Sequence, residues 1–533
     1  MHRPKGSRIV RAVDDRKVWG LTKTDASTTS RRHYAKANHE RDSHDENTVG
    51  MTESDMRWEA IDWKRTEKHV RRLQYKIAKA ESEGNHNKAK RIQHLLTESF
   101  DAKLLAVKYV TSNRGARTPG VDGEVWLTGR QKMDGTKALN NRTYRAKPLR
   151  RIHIPKRNGK KRPLSIPCIS DRAMQMLHQL ALDPIAEVRL YPHQYGFRIG
   201  RSCQDAIERL FVQLSKRVKR SPGYIIEGDI KGMFDNINHE WLMRNIPMNR
   251  RILKEFLKAG YIFESRLFPT DLGTPQGSII SPTLANLCIA ELGREVERLA
   301  GKRGMIHATM YADDFVITAP TMEIAQEIRE GIVPILAERG LELSMEKTLI
   351  TRIEDGFDFL SFNCKKYRNG HVLVTPSKKA VKEFKEKVKE AIRKGQAWTQ
   401  DDLIMVLNPI IRGWANYHRH NSSSKTFHHI DEYIFHLLVL WGKKRHRNKS
   451  WRWIRKRYWH TVGNNNWTFC TDKSRLLTMQ SVHIRRHVKV VATKNPYLDR
   501  EYFLERKSKG RGNMGRCSKS CGNTRARSPV SNW

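Results

Sequence analysis

The chain has 533 residues, with 101 Lys and Arg against 56 Asp and Glu, a formal net charge of +45. That length accommodates three or four domains, and the cation excess suits a polyanionic partner, nucleic acid first. The sequence holds no run of 18 apolar residues and no lipidation motif, which sets a membrane partner aside. Its seven cysteines (168, 203, 288, 364, 470, 517 and 521) are scattered and odd in number. That fits free thiols in a reducing compartment better than a disulfide framework.

Residues 1–50 are polar, mixed in charge and without apolar periodicity, so they are predicted to be disordered. Met51 opens the apolar structure (Trp58, Ile61, Trp63) and reads as an original start, with 1–50 as an in-frame extension. The N-terminus lacks a signal-peptide apolar core, and Asp14, Asp15 and Asp25 argue against a transit peptide. A soluble intracellular protein is expected.

Residues 63–110 are predicted to be helical. Val70, Leu73 and Ile77 share one face, Ile92, Leu95 and Leu96 another, and Gly84-Asn85 marks the break. "RTPGVDG" (117–123) is a loop. From 150 to about 365 short strands such as "RRIHIP" and "YIIEGDI" alternate with helical stretches such as "DRAMQMLHQLALDPIAEVRL". This is an α+β or α/β core. Residues 377–395 form an amphipathic helix with Val381, Phe384, Val388 and Ile392 on one face. "LNPIIRGWANYHRH" (407–420) begins another, with Pro409 suited to an early helical position. Residues 441–460 hold nine Lys and Arg, four Trp and no acid. Cations neutralise phosphates and aromatics stack on bases. The bland alternative is a helix with Trp on its core face and charges in water. The tail from about 508 is predicted to be disordered. Cys517 and Cys521 lie there, but no histidine follows His487, so a local zinc site lacks partners.

In "MYADDFVITA" (310–319), Asp313 and Asp314 stand together inside an apolar stretch. Alone, this reads as a turn between two strands. Adjacent carboxylates repel, however, and one tends to hold a proton unless a cation sits between them. A hard ion such as Mg²⁺ prefers such oxygens. Upstream, Asp229 ends the apolar strand of "YIIEGDIKGMFDNINHEWL" (224–242). Three carboxylates converging from two neighbouring strands suit two Mg²⁺ ions about 3.5–4 Å apart, the arrangement for nucleotidyl transfer.

At these residues the chain resembles the group II intron-encoded reverse transcriptases with maturase activity, from about residue 58 to about 505. The motifs come in family order: "TPGVDG", "RRIHIPKRNGKKRPLSIPCISDRAMQ", "YGFRIGRSCQDAI", "GDIKGMFDNINHEWL", "GTPQGSIISPTLANL", "YADD", "LSMEKT", "GFDFLSF" and "LNPIIRGWANYH". Singly they are weak signals; in order they are strong. The resemblance implies that Asp229, Asp313 and Asp314 are catalytic metal ligands, with the Ile230 carbonyl beside them. It implies that Lys156 and Arg162 grip the triphosphate, as charge-assisted contacts do. Phe234 is then the bulky gate under the sugar, Gln276 lies beside the incoming nucleotide, and Lys347 is a basic residue near the site. Lys443, Lys444, Arg445, Arg447, Arg452, Arg455, Lys456 and Arg457 fall in its DNA-binding region. The chain departs from the pattern at Ser278 and Ser361, where glycine is usual, and at Met345, where proline is frequent. A serine at a tight backbone position predicts strain.

The expected fold is α+β, a right-hand polymerase with a helical N-terminal extension. The expected divisions are a disordered 1–50, an N-terminal helical extension over 51–145, and fingers and palm over 146–372, the palm on a split βαβ sheet. A helical thumb/maturase segment over 373–440, a basic and mainly helical DNA-binding region over 441–507, and a remnant tail over 508–533 complete them. Many relatives continue into an H-N-H endonuclease; the 26 residues beyond 507 hold no histidine and are expected to be a remnant of one rather than a working nuclease. The implied partners are the intron RNA, target DNA and dNTPs, in the bacterial cytoplasm or an organellar matrix, with a homodimer compatible. Two other readings stay open. One is a non-catalytic maturase that only helps its intron fold and splice. The other is a polymerase serving a retron, CRISPR or defence system.

Overall fold

The computed structural model describes residues 53–155, 159, 161–215 and 221–511. The 1–50 extension, Lys156, Cys517 and Cys521 lie outside them. The helix Trp63–Ser82 starts where the Asp62 carboxylate accepts the amides of Lys64 and Arg65. It ends at Gly84, whose φ of +74° suits glycine. Asn85 then caps His86–Glu98. Val70 and Ile77 are buried as the periodicity predicts, but Leu95 is 60% exposed. The second helix turns Ala89, Gln93 and Leu96 inward instead. Gln93 is drawn in by the carbonyls of Ala181 and Pro247, which accept from its amide. The next helix, Phe100–Thr111, buries residues on several sides and packs against Ile169–Arg189.

The strands follow in chain order: β1 (Leu149–Pro155), β2 (Lys161–Ile166), β3 (Tyr224–Asp229), β4 (Tyr261–Phe263), β5 (Arg266–Phe268), β6 (His307–Tyr311) and β7 (Asp314–Ala319). Then come β8 (Leu349–Arg352), β9 (Phe357–Phe359), β10 (Phe362–Lys366), β11 (Val372–Pro376), β12 (Trp459–Val462) and β13 (Asn465–Phe469). One sheet runs β2-β1-β4-β5 and another β6-β7-β3-β8. The second is antiparallel throughout, with the helix Ser281–Ala300 before β6 and Met322–Gly331 after β7. This βαββαβ connectivity is the split βαβ arrangement. Its strands bury Ile225, Ile226, Phe315, Val316 and Ile317. The main core continues from it through the helices around 169–189 and 281–300 to the N-terminal helices. Residues 384–482 build a separate core around Phe427, Leu438 and Trp441. Among the described residues no helix is long and apolar enough to cross a membrane.

Three expectations are corrected. Pro409 does not open a helix; it sits inside Gln400–His418, which Thr399 caps by accepting the Asp402 amide. The region 441–507 is not mainly helical. After Trp451–Tyr458 it holds the β12–β13 hairpin, and most of 470–499 lacks regular structure. The β-rich flanks of "WHTVGNNNWTF" meet at Gly463, with φ +59°, a hairpin signal that outweighs the basic helical pattern. The tail is helical as far as Arg511, within Arg500–Arg511; residues 512–533 are outside the described set.

Candidate active site

Asp229 is the last residue of β3 and Asp314 the first of β7, and the two are direct cross-strand partners. Ala312 and Asp313 form the two-residue turn between β6 and β7, where Tyr311 pairs with Asp314. The segment is therefore both a turn and a carboxylate cluster. Ala312 has φ +55°, a conformation that glycine usually supplies in such hairpins. All three carboxylates thus stand at one end of the sheet. Burial raises the pKa of Asp313, and the charge of Asp229 adds to the rise. Asp314 is pushed up to about 7 by burial, then by the charges of Asp313 and Asp229. The Lys347 ammonium lies 2.8 Å from Asp229 Oδ2, and that hydrogen bond raises the lysine's own pKa. The side chain of Ile230 is buried, and a bridge to Leu343 ties the strand end to the segment that carries Lys347.

Among the described residues, no three His, Cys, Asp or Glu side chains already surround a point as metal ligands do. The donor chemistry nevertheless fits a hard divalent ion. The side-chain donors are carboxylate oxygens that repel one another, and Lys347 pairs directly with Asp229 among them.

Arg162 Nε donates to Gln276 Oε1 at 2.9 Å, and Gln276 Nε2 donates to the Asp235 carboxylate at 3.1 and 3.2 Å. The Ser165 amide donates to the Gln276 carbonyl at 2.8 Å. Gln276 thus ties β2 to the short helix Met233–Asn236, which carries Phe234. The charge of Arg162 reaches Asp313 and opposes its pKa rise. Phe234 is half-buried and lines an open cleft with Leu149, Arg151, Tyr261 and Gln276. Gly277 holds the special backbone of "PQGS", at φ +109°, and a Cβ there would meet the Ser165 carbonyl at 2.6 Å. Ser278 is not among the positive-φ residues. The expected strain falls on Ser361, with φ +69°, beside Leu360 at +49°.

Residues 154–364 match the family "Reverse transcriptase (RNA-dependent DNA polymerase)". Residues 58–139 match "N-terminal domain of reverse transcriptase", and 381–459 match "Group II intron, maturase-specific domain". Protein YkfC of Escherichia coli (strain K12) is 34% identical over 340 residues, covering 54% of this chain and 89% of that protein. Group II intron-encoded protein LtrA of Lactococcus lactis subsp. cremoris is 28% identical over 419 residues, covering 60% and 68%. The chain belongs to the group II intron-encoded reverse transcriptase/maturase family. Apo telomerase from Candida Tropicalis aligns at a TM-score of 0.36 and 12% identity over 60% of this chain and 65% of that one, too faint a likeness to add to the assignment.

This reverse transcriptase therefore carries an RNA-directed DNA polymerase domain and a maturase-specific domain, and RNA is its partner class. Its predicted DNA-binding cations are not brought to the carboxylates; they lie on the separate core of 384–482. Lys443, Lys444, Arg447, Arg452, Arg455, Lys456 and Arg457 are exposed. Arg445 is exposed too, but its guanidinium donates to the carbonyls of Gln396 and Trp398 at 2.9 and 2.6 Å, a structural task. Trp441 and Trp459 are buried and Trp451 packs against the core, so the bland reading holds for three of the four tryptophans. Trp453 is 39% exposed. Sequence reasoning missed Trp467, 45% exposed with Arg455 4.2 Å over its ring. It also missed Asp235; position next to Phe234 was the available signal.

Proposed function

We propose that this reverse transcriptase copies its intron RNA into DNA at the Asp229, Asp313 and Asp314 carboxylates, and binds the same RNA as a splicing maturase. The observation that carries the site is the Asp229–Asp314 cross-strand pair with Asp313 in the adjoining turn. In this reading the β6-β7-β3-β8 sheet is the palm, β1 and β2 belong to the fingers, and 373–440 is the thumb/maturase segment. Residues 441–507 engage target DNA, and 51–145 is the N-terminal extension. The cellular setting is the bacterial cytoplasm or an organellar matrix.

Asp229, Asp313, Asp314 and the Ile230 carbonyl would hold Mg²⁺. Two bound ions would supply activation of a primer 3′-hydroxyl and neutralisation of the triphosphate. The chain's own groups do the rest. Lys347 donates to Asp229 Oδ2 at 2.8 Å and holds that carboxylate in place at the strand end. Arg162, fixed by Gln276, and Lys156 bind the triphosphate of the incoming dNTP. Phe234 fills the space that a 2′-hydroxyl would need, so deoxynucleotides are selected. The basic surface of 443–457 neutralises phosphates.

The test is primer extension on an RNA template with dNTPs and Mg²⁺, comparing wild type with Asp313→Asn/Asp314→Asn. We expect cDNA from the wild type alone, with intron RNA bound equally by both. No cDNA from either, with RNA binding intact, would remove the polymerase reading and leave a maturase.

A further inference from the structure

Phe197 is an aromatic residue held in the left-handed region, at φ +57°, and is 40% exposed. That conformation is an outlier for a bulky residue and persists only where the surrounding structure enforces it. Core packing does not explain it, because the ring is not buried. What the ring does meet is Phe234, edge to face, with centroids 6.4 Å apart and planes at 81°.

The loop that carries Phe197 is fixed on both sides. Before it, the Tyr195 amide donates to the Met310 carbonyl at 2.8 Å, and Asn286 Nδ2 donates to the Gly196 carbonyl at 2.8 Å. Gly196 lies on the carboxylate turn itself; a Cβ there would sit 2.4 Å from the Ala312 nitrogen. After it, Arg198 forms a buried ion pair with Glu187 at 2.7 Å and donates to the carbonyls of Tyr191 and Gln194. Gly200, at φ +71°, is covered by the Phe503 ring, and Arg506 donates to its carbonyl at 2.9 Å. Arg201 donates to the carbonyls of Ala492 and Lys494. The backbone is thus clamped between the carboxylate turn and the C-terminal segment, and the clamp presents one exposed ring to Phe234.

We propose that Phe197 is a positioning residue for deoxynucleotide selection, bracing the Phe234 ring against the space beside the sugar. This rests on the reading of Phe234 as the gate. Without the brace, the Phe234 ring can rotate or retreat when a ribose enters. An edge-to-face ring pair is strong enough to change discrimination by about two- to tenfold.

The experiment measures kcat/KM for dTTP and for UTP on an RNA template with wild type, Phe197→Ala, Phe197→Tyr, Phe234→Ala and the double Phe197→Ala/Phe234→Ala variant. Thermal unfolding is followed in parallel. We expect Phe234→Ala to relax discrimination strongly and Phe197→Ala to relax it about two- to tenfold, through better use of UTP. kcat with dTTP should stay near wild type. Phe197→Tyr should restore the ratio, and the double variant should match Phe234→Ala alone. If Phe234→Ala relaxes discrimination and Phe197→Ala does not, the bracing role is overturned and the gate stands. If Phe234→Ala leaves the ratio unchanged, the gate reading falls and the brace with it. Should Phe197→Ala unfold, Phe197→Leu keeps most of the volume without the ring edge and reads the same ratio.

Discussion

The Asp205 carboxylate is the point where the C-terminal segment is tied to the polymerase unit, and removing it is a quantitative test of that tie. The side chain is fully buried. Its Oδ2 accepts the Ser202 amide and hydroxyl, both at 2.8 Å, in the capping box of the helix Cys203–Leu214. Its Oδ1 accepts the Val490 amide at 2.7 Å, His487 Nε2 at 2.9 Å and Arg506 Nη2 at 2.6 Å. Burial alone would raise its pKa, but the hydrogen bond from His487 and the charge of Arg506 outweigh burial, and the net shift is downward. Breaking a buried ion pair costs about 3–5 kcal/mol. Arg506 and His487 keep side-chain exposures of 23% and 18%, so water recovers part of that cost and the low end applies. Loss of the reciprocal half of the capping box, in which Asp205 accepts the Ser202 amide, adds up to about 1 kcal/mol. Asp205→Ala should therefore destabilise by about 4 kcal/mol. Asp205→Asn, which keeps the cap acceptor and the shape, should cost about half as much. Hydrogen exchange should show residues 485–506 losing protection first, and urea unfolding should give the total. Because the folded pKa lies below the unfolded one, the unfolded state binds more protons in the window between them. The stabilisation is complete above about pH 4 and is lost as pH falls through the folded value. The variants should show a flatter acid limb. If Asp205→Ala stays within about 0.5 kcal/mol of wild type, an ordinary surface change, and 485–506 remains protected, the tie is not where the hydrogen bonds place it.

Ser361→Gly should stabilise the chain by about 1 kcal/mol, because the β9–β10 turn places two non-glycine residues, Leu360 and Ser361, at positive φ. Ser278→Gly, where no positive φ is imposed, should not stabilise; thermal unfolding of the two variants separates them. In nucleic-acid binding followed against salt, Lys456→Ala should lower the log–log slope by about 1, as loss of one phosphate contact does. Arg445→Ala, whose guanidinium is engaged by backbone carbonyls, should leave the slope unchanged and lower the unfolding temperature instead.

The sequence by itself determined the family, because the motifs carry chemistry that needs particular side chains in a particular order. It also determined the local elements whose signals lie within a few residues. The helices Trp63–Ser82 and Lys378–Lys394 follow from apolar periodicity, with Asp62 and Ser377 as their caps. The carboxylate trio is legible as a candidate once Asp229 at a second strand end joins Asp313 and Asp314, which alone read as a turn. What only the tertiary structure decided lies between residues far apart in the chain. Gln276 joins Arg162 to Asp235, Asp205 gathers His487, Val490 and Arg506, and Phe197 meets Phe234. No periodicity encodes such pairs. The inward turn of Gln93 in place of Leu95 also depends on carbonyls distant in the chain, those of Ala181 and Pro247. Backbone strain was legible at Ser361 only as a missing glycine, and at Ala312 and Phe197 not at all. A left-handed φ at a residue other than glycine persists because surrounding contacts enforce it, and those contacts exist only in the folded chain.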